Sequence, residues 1–143
     1  MKFWDASALA PLHAREPRTA DLQALARSDE GIVVWWGTVV ECASALARMR
    51  RHQSLTDAEY AKALEALVLT SSGWRPVTPS QDLRYDAMRF VRLHPLSAAD
   101  AFQLAAALHW AQRRPGGLEF VCLDARLRQA AAIEGFTILP ANG

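Results

Sequence analysis

The sequence has few cysteines and no long apolar run, and these absences exclude several classes of protein. Its two cysteines, Cys42 and Cys122, have neither neighbouring cysteines nor metal-spaced histidines, so we expect two buried, reduced thiols rather than a disulfide framework or a zinc site. No apolar run reaches the ~18–20 residues of a membrane span. The chain opens as Met1-Lys2-Phe3-Trp4-Asp5, without the apolar stretch of a secretory signal. We therefore expect a cytoplasmic protein that does not contact a membrane.

Lysine is also scarce, because only Lys2 and Lys62 among the sixteen basic residues are lysines. The formal net charge of +1 argues against the broad positive field of a nonspecific nucleic-acid binder. Arginine binds phosphate through two parallel N–H groups. A GC-rich genome favours arginine in the same way without selection for function, so the bias alone does not indicate phosphate binding.

The pattern of apolar residues predicts one domain, residues 1–143, in which strands alternate with helices. Half of the residues are apolar, which permits a substantial core. Several predicted strands are apolar throughout, as expected of parallel strands covered by helices on both faces. The predicted fold class is therefore α/β, with three layers around a parallel sheet. Predicted strands cover 2–4, 32–36, 74–77, 120–123 and 136–139, and predicted helices cover 6–13, 19–27, 38–52, 56–69, 80–94, 97–114 and 125–134. In the helix at 80–94, the side chains expected to point inwards are Leu83, Ala87, Phe90 and Val91.

Four carboxylates occupy positions where such a sheet can bring them together. Asp5 and Asp124 each follow a predicted strand directly, and Glu41 lies one turn into the helix after the second strand. Functional sites of parallel sheets form beyond the carboxyl ends of the strands. Asp100 is placed less clearly by topology, because it opens a helix that follows another helix. The arrangement predicts that at least three of these acids share one edge of the sheet.

Each of these acids also has a purely structural interpretation as a helix cap. The segments 38–41 and 97–100 both fit the capping pattern Ser/Thr-x-x-Glu/Asp. Asp5 and Asp124 could cap the helices that they precede. Thr56 and Glu59 show the same capping pattern after a helix and a loop, away from any strand end, so we assign Glu59 no chemical role.

The surroundings of the acids favour a metal site over simple capping. Trp4 precedes Asp5, and Trp35 and Trp36 lie shortly before Glu41, which places these acids at the mouth of an apolar interior. Clustered carboxylates repel one another unless protons or a cation neutralise them. Oxygen ligands without cysteine or histidine suit Mg²⁺ first and Mn²⁺ second. Such an ion activates water and stabilises a leaving oxygen in phosphodiester hydrolysis.

Four segments make the chain resemble the PIN-domain family and, within it, the VapC-type toxins of bacterial toxin–antitoxin pairs. They occur in the family's order and span essentially the whole chain. The segments are Phe3-Trp4-Asp5-Ala6-Ser7-Ala8-Leu9, Thr38-Val39-Val40-Glu41-Cys42, the stretch 96–107 that begins Leu96-Ser97-Ala98-Ala99-Asp100, and Leu123-Asp124-Ala125-Arg126-Leu127.

The resemblance implies an α/β/α fold and Mg²⁺- or Mn²⁺-dependent cleavage of RNA. It implies that the four acids form the metal site and that the Ser7 hydroxyl bonds a carboxylate or a metal-bound water. Cys122 departs from the family, because relatives often carry Thr or Ser two residues before the last acid. The resemblance also implies a homodimer and a cognate antitoxin that blocks the site. The implied catalytic and metal-binding residues are Asp5, Glu41, Asp100 and Asp124.

Some roles within such a site can be assigned only as hypotheses. Asp5 and Asp100 would be the principal ligands, with Glu41 and Asp124 completing the shell or orienting the attacking water. Arg48 lies two helical turns beyond Glu41 and could contact an RNA phosphate, with Arg51 nearby on the same helix. A basic end of a helix is favoured in any case. Four tryptophans could stack bases, but packing in the core or at a partner interface is the expectation for all of them: Trp35, Trp36, Trp74 and Trp110.

Three other functions compete with that of a toxin ribonuclease. A PIN nuclease that processes RNA without being a toxin would show the same residues. A nuclease-like module that binds RNA or protein without catalysis would be expected to lack some of the acids. A phosphoaspartyl protein, either a haloacid-dehalogenase-like hydrolase or a receiver domain, is disfavoured: Ser7 stands where the hydrolase has its second Asp, and both classes use a later lysine, whereas none follows Lys62.

Overall fold

The fold was determined as a computed structural model, in which residues 1–14 and 19–142 are described. Pro17, which was expected to follow the first helical segment, lies outside these residues. The strands are β1 (Lys2–Trp4), β2 (Ile32–Trp35), β3 (Arg75–Val77), β4 (Glu119–Val121) and β5 (Thr137–Leu139). The helices are α1 (Ala6–Leu9), which continues as a 3₁₀ turn (Ala10–His13), α2 (Thr19–Ser28), α3 (Thr38–Arg51), α4 (Asp57–Ser71), α5 (Gln81–Leu93), α6 (Ala98–Trp110) and α7 (Ala125–Glu134).

The five strands form one sheet of order β3-β2-β1-β4-β5, and every neighbouring pair is parallel. The predicted α/β class with a parallel central sheet is therefore confirmed. Phe3 of β1 lies beside Val33 of β2 on one side and Phe120 of β4 on the other. In this register Asp5 follows the central strand at the carboxyl edge of the sheet. The segment that leaves β4 reaches the same edge and carries Asp124 into α7.

Alternating side chains of the strands feed two cores, one on each face of the sheet. Phe3 and Phe120 point towards α5, α6 and α7. Trp4 and Val121 point the other way, into the core formed with α1 to α4. This alternation is the period of an extended chain, and it explains why the strands are apolar on both faces.

Two expectations about individual side chains are wrong. Val91 was expected to point inwards from α5, but 46% of its surface is exposed, because Ala87 and Phe90 already fill that face of the helix. Trp36 was expected to belong to the second strand, which ends at Trp35. Its side chain is 60% exposed, because the chain turns there towards α3. In the described part of the chain, no helix combines the length and apolar character that crossing a membrane requires.

Candidate functional site

Four carboxylates that are distant in sequence line one cavity of about 480 Å³ at the carboxyl edge of the sheet. Asp5 follows β1, Glu41 lies in the first turn of α3, Asp100 lies in the first turn of α6, and Asp124 precedes α7. Asp100, which topology alone placed least clearly, is brought there because α6 begins at this edge. The rest of the lining is mainly small side chains, together with one arginine: Ala6, Ser7, Ala10, Pro11, Ser44, Ala45, Arg48 and Ala99.

Asp5 is the most deeply buried of the four acids, at 4% exposed. Its Oδ2 accepts a hydrogen bond of 3.0 Å from the backbone N–H of Ser7, so it caps α1 as the structural interpretation expected. The thiol of Cys122 donates to the same oxygen over 3.6 Å. The Ser7 hydroxyl accepts the backbone N–H of Leu123 at 2.9 Å, which ties the loop after β4 to the start of α1. Burial raises the pKa of Asp5, and the charge of Asp100 raises it further.

Glu41 does not form the capping box that its sequence pattern indicated. Gly37 is the N-cap of α3, so Thr38 is already the first helical residue, and its side chain is fully buried. The Glu41 carboxylate instead accepts a hydrogen bond of 2.6 Å from Nε2 of Gln103 on α6. Burial, followed by the charges of Asp5 and Asp100, raises the pKa of Glu41 to about 7, while the hydrogen bond from Gln103 opposes this shift.

Asp100 and Asp124 serve as parts of helix starts and also face the cavity. Ser97 caps α6 by accepting the backbone N–H of Asp100 at 3.2 Å. Asp124 caps α7 by accepting the N–H of Leu127 at 2.9 Å. Burial and the charge of Asp124 raise the pKa of Asp100, although the Ser97 hydroxyl lowers it in part. Capping and a role in the cavity are thus compatible for these two acids.

Within the described residues, the acids of the cavity lack the cationic partners that the buried carboxylate of Asp86 has. Asp86, on α5, is 6% exposed and contacts Nη2 of Arg113 at 2.6 Å and Nε2 of His109 at 2.8 Å. Among the described residues, no Lys, Arg or His side chain forms an ion pair with any acid of the cavity. Unpaired carboxylates held close together favour protons or a bound cation. Asp86 and the cavity acids therefore differ in charge balance: Asp86 has cationic partners, whereas protons or a cation would be required to neutralise the cavity acids.

The donor set of the cavity fits a hard divalent cation. It consists of carboxylate oxygens and serine hydroxyls, without histidine, and the Cys42 and Cys122 thiols are buried. Burial raises the pKa of Cys42 to about 12 and that of Cys122 higher still, so both stay protonated. No three His, Cys, Asp or Glu side chains of the described chain converge closely enough to enclose an ion as they stand. Small rearrangements of the carboxylates or intervening waters would have to complete the coordination of an ion.

Two polar residues beside the site were not expected from the sequence. Gln103 is fully buried and contacts both Glu41 and Thr38, which is also fully buried. A signal was present, because Gln103 is the one polar residue in a run of Ala and Leu and lies one helical turn after Asp100. Arg48 lines the cavity, as its spacing from Glu41 suggested. Arg51, which was expected nearby, lines a separate hollow beside Arg50 and Asp57.

The tryptophans contribute mainly to packing. Trp35 stacks on Phe102 with a centroid distance of 5.2 Å and an interplanar angle of 3°. Trp74 is buried, and Trp110 contacts Phe3 with ring centroids 6.4 Å apart. Trp36 is the exception, because it is exposed at the edge of a hollow that also contains Arg84.

Comparison with solved structures finds similar folds that include a VapC toxin and a chain of a toxin–antitoxin complex. VapC20 from Mycobacterium tuberculosis, described as a sarcin-ricin loop cleaving toxin, matches with a TM-score of 0.65 and 19% identity over 96% of this chain and 97% of its own. A toxin–antitoxin complex from Klebsiella pneumoniae contains a chain that matches with a TM-score of 0.61 and 17% identity over 88% of each chain. PAE2754 from Pyrobaculum aerophilum matches with a TM-score of 0.66 and 22% identity, covering 96% of this chain and 88% of that one.

These similarities cover nearly the whole chain at low sequence identity. No protein-family model and no curated protein matches the sequence. The comparison therefore rests on the arrangement of strands and helices, which agrees with the resemblance indicated by the four sequence segments. The chain has the fold of VapC-type toxins.

Proposed function

We propose that the protein is a metal-dependent endoribonuclease of the VapC type and the toxin of a type II toxin–antitoxin pair. The observation that carries this proposal is the convergence of Asp5, Glu41, Asp100 and Asp124 on one cavity from four separate elements of a fold shared with a VapC toxin. Helix capping accounts for the positions of Asp5 and Asp124, but it does not account for Glu41. It also does not account for a group of carboxylates that repel one another and have no cationic partner in the part of the chain that the structure describes.

Some residues of the cavity would bind Mg²⁺ or Mn²⁺, and others orient the side chains that would bind it. Asp5 and Asp100 are assigned as the principal ligands, and Glu41 and Asp124 as residues that complete the shell or hold the attacking water. When bound, the ion lowers the pKa of water and stabilises the leaving oxygen of the RNA. Ser7 fixes Asp5 through its backbone N–H and fixes the loop after β4 through its hydroxyl.

Arg48 is assigned to the RNA substrate. It is exposed, lines the cavity, and has no ion pair with any described carboxylate, although four acids line the same cavity. A guanidinium group left unpaired beside a hydrolytic centre suits a phosphate of the bound strand. This contact would position the RNA without reading its sequence.

The partners proposed are a cognate antitoxin and a second copy of the chain. One structure of similar fold is described as a toxin–antitoxin complex, which supports an antitoxin here. The homodimer follows from the family resemblance alone. A small open reading frame directly upstream of the gene would favour a toxin over an RNA-processing nuclease that is not a toxin, since toxin and antitoxin are encoded as a pair.

The decisive experiment is an RNA cleavage assay of the purified chain with Mg²⁺, with Mn²⁺ and with EDTA. We expect cleavage with either ion, none with EDTA, and none for the folded Asp5→Asn and Asp100→Asn variants. Asp82→Asn is the matched control, because Asp82 lies in the first turn of α5 and is exposed to solvent. Full activity of either site variant, or cleavage in EDTA, would overturn the proposal. A folded chain that binds neither ion would instead indicate a module without catalysis.

A further inference from the structure

We propose that Gln103 is a positioning residue that fixes the carboxylate of Glu41 relative to Asp100 and thereby sets the affinity of the site for its metal ion. The inference rests on the proposed function, since it takes the cavity as a metal site. It adds Gln103 and Thr38 to the machinery of that site, in roles that act through Glu41 rather than on the RNA.

Hydrogen bonds of Gln103 link α6 to the first turn of α3. On α6, Gln103 follows Asp100 by one turn, and on α3, Thr38 precedes Glu41 by one turn. Side chains separated by one turn share a helix face, and these faces of α3 and α6 contact each other through the hydrogen bonds of Gln103. Nε2 of Gln103 donates to Oε2 of Glu41 at 2.6 Å and to Oγ1 of Thr38 at 3.0 Å. Both amide N–H groups of Gln103 are therefore engaged by α3.

The burial of this pair requires an explanation other than packing. Gln103 and Thr38 are each fully buried, and the other buried residues of α6 are alanines and leucines. A leucine would fill the position of Gln103 without a polar group that must be satisfied. The polar pair is explained if it holds a charged side chain at the edge of the core in one position. The only charged side chain that Gln103 contacts among the described residues is Glu41.

The contact holds one oxygen of Glu41 and leaves the other available. Oε2 receives the short hydrogen bond from Gln103, whereas Oε1 accepts none from the described residues. A hydrogen bond to a charged acceptor is shorter and stronger than one between neutral groups. The amide cannot be reversed while Glu41 is ionised, because its oxygen would then face a carboxylate oxygen. The Thr38 hydroxyl, which also lies 3.4 Å from Oε1 of Gln103, fixes the amide from the other side.

The need for such a restraint follows from the repulsion within the cavity. The negative charges of Asp5 and Asp100 act on Glu41, so a freely rotating Glu41 side chain would turn towards solvent. Gln103 keeps the carboxylate in the cavity before an ion arrives. Outer residues that orient ligands change metal affinity by about 10- to 100-fold when they are removed, which gives the scale of the expected effect.

The test measures the dissociation constant of Mn²⁺ by titration calorimetry, together with the melting temperature. We expect Gln103→Leu to weaken Mn²⁺ binding by about 10- to 100-fold. Gln23→Leu, on the exposed side of α2, is the matched control for loss of an amide. If Gln103→Leu folds poorly, the double variant Thr38→Val/Gln103→Leu removes both polar partners, and we expect it to show the same loss of affinity.

The dependence on Glu41 is tested by repeating the measurement in the Glu41→Gln background. We expect Gln103→Leu to change the Mn²⁺ dissociation constant there by less than about two-fold, because coupled residues are not additive. Unchanged affinity in a folded Gln103→Leu or double variant would overturn the inference. So would an equal loss with and without Glu41, since Gln103 would then act independently of it. An unchanged protein that binds no Mn²⁺ would instead overturn the proposed function and the inference with it.

Discussion

The chain contains the pattern Thr-x-x-Glu at the start of two helices, and the two copies have different structures. At α4, Thr56 accepts the N–H of Glu59 at 3.1 Å, and the Glu59 side chain accepts the N–H of Thr56 at 2.9 Å. This is a complete capping box on the surface. At α3, Thr38 is buried against Gln103, and Glu41 faces the cavity. The helix there begins one residue earlier, with Gly37 as its cap.

The difference arises from what surrounds each helix start. Helix α4 follows a solvent-exposed loop, and the exposed side chains of Thr56 and Glu59 each accept a backbone N–H at the start of the helix. Helix α3 follows β2 at the carboxyl edge of the sheet, where α6 supplies Gln103 as a partner for both residues of the pattern. The comparison shows that a local capping pattern marks the beginning of a helix, whereas tertiary neighbours decide what its acid does.

The largest expected effect is a difference in RNA cleavage between variants of Glu41 and Glu59. Glu41→Gln should lower RNA cleavage at least about 100-fold, more than loss of an outer residue of a metal site, because it removes a charged oxygen from the cavity. Glu59→Gln should leave cleavage unchanged, since glutamine also fits a capping box. Initial rates with Mn²⁺ measure both. Equal activities of the two variants would remove the functional distinction between the two patterns.

The two threonines should differ in stability by a smaller amount. Thr56→Ala removes an exposed N-cap and should lower the free energy of unfolding by about 1 kcal/mol. Thr38→Val leaves an amide N–H of the buried Gln103 without an acceptor and should lower it by about 1–3 kcal/mol. Urea denaturation followed by circular dichroism measures both values. A loss for Thr38→Val no larger than that for Thr56→Ala would indicate that the buried amide finds another partner.

The pH dependence of stability should also distinguish the two sites. The pKa of Glu41 is raised to about 7, so the folded chain holds its proton more tightly than the unfolded chain. The free energy of unfolding is therefore highest where Glu41 is protonated in both states, and it falls as pH rises from about 4.5 to about 7. The raised pKa of Asp5 acts in the same direction.

Urea denaturation in EDTA across this pH range measures the slope. Glu41→Gln should flatten it, whereas Glu65→Gln, an exposed control on α4, should not. Saturating Mg²⁺ should remove much of the slope for the unchanged chain, since binding to the folded state stabilises it. A metal-free slope that Glu41→Gln leaves intact would show that other groups carry the pH dependence.

The smallest expected effect is that of Arg48, which lies on α3 beyond the capping pattern. Arg48→Ala should lower kcat/KM about two- to five-fold, the scale of one exposed ionic contact, and the loss should shrink at high salt. Arg51→Ala is the control, because Arg51 lines a different hollow. Equal losses for the two variants would indicate a general contribution of charge rather than a contact at the cavity.

Much of the fold could be predicted from the sequence. The apolar runs 32–36 and 120–123 predicted strands that the structure has at Ile32–Trp35 and Glu119–Val121, and the helix of residues 125–134 was predicted with the bounds that it has in the structure. Prediction failed for Val91 and Trp36, whose exposure depends on which neighbours fill the adjacent space. It failed in the same way for Gln103, because a single polar residue in an apolar helix does not reveal its partner.

For the site, the sequence by itself determined the types of acid and three of their positions, since residues that follow parallel strands must emerge at one edge of the sheet. Only the tertiary structure decided that Asp100 joins them, that Glu41 leaves its capping role, and that Gln103 and Thr38 hold it. The physical reason is the range of the interactions. Periodicity and capping act within one helix or strand, whereas the burial and charge of a carboxylate depend on elements that are distant in the chain.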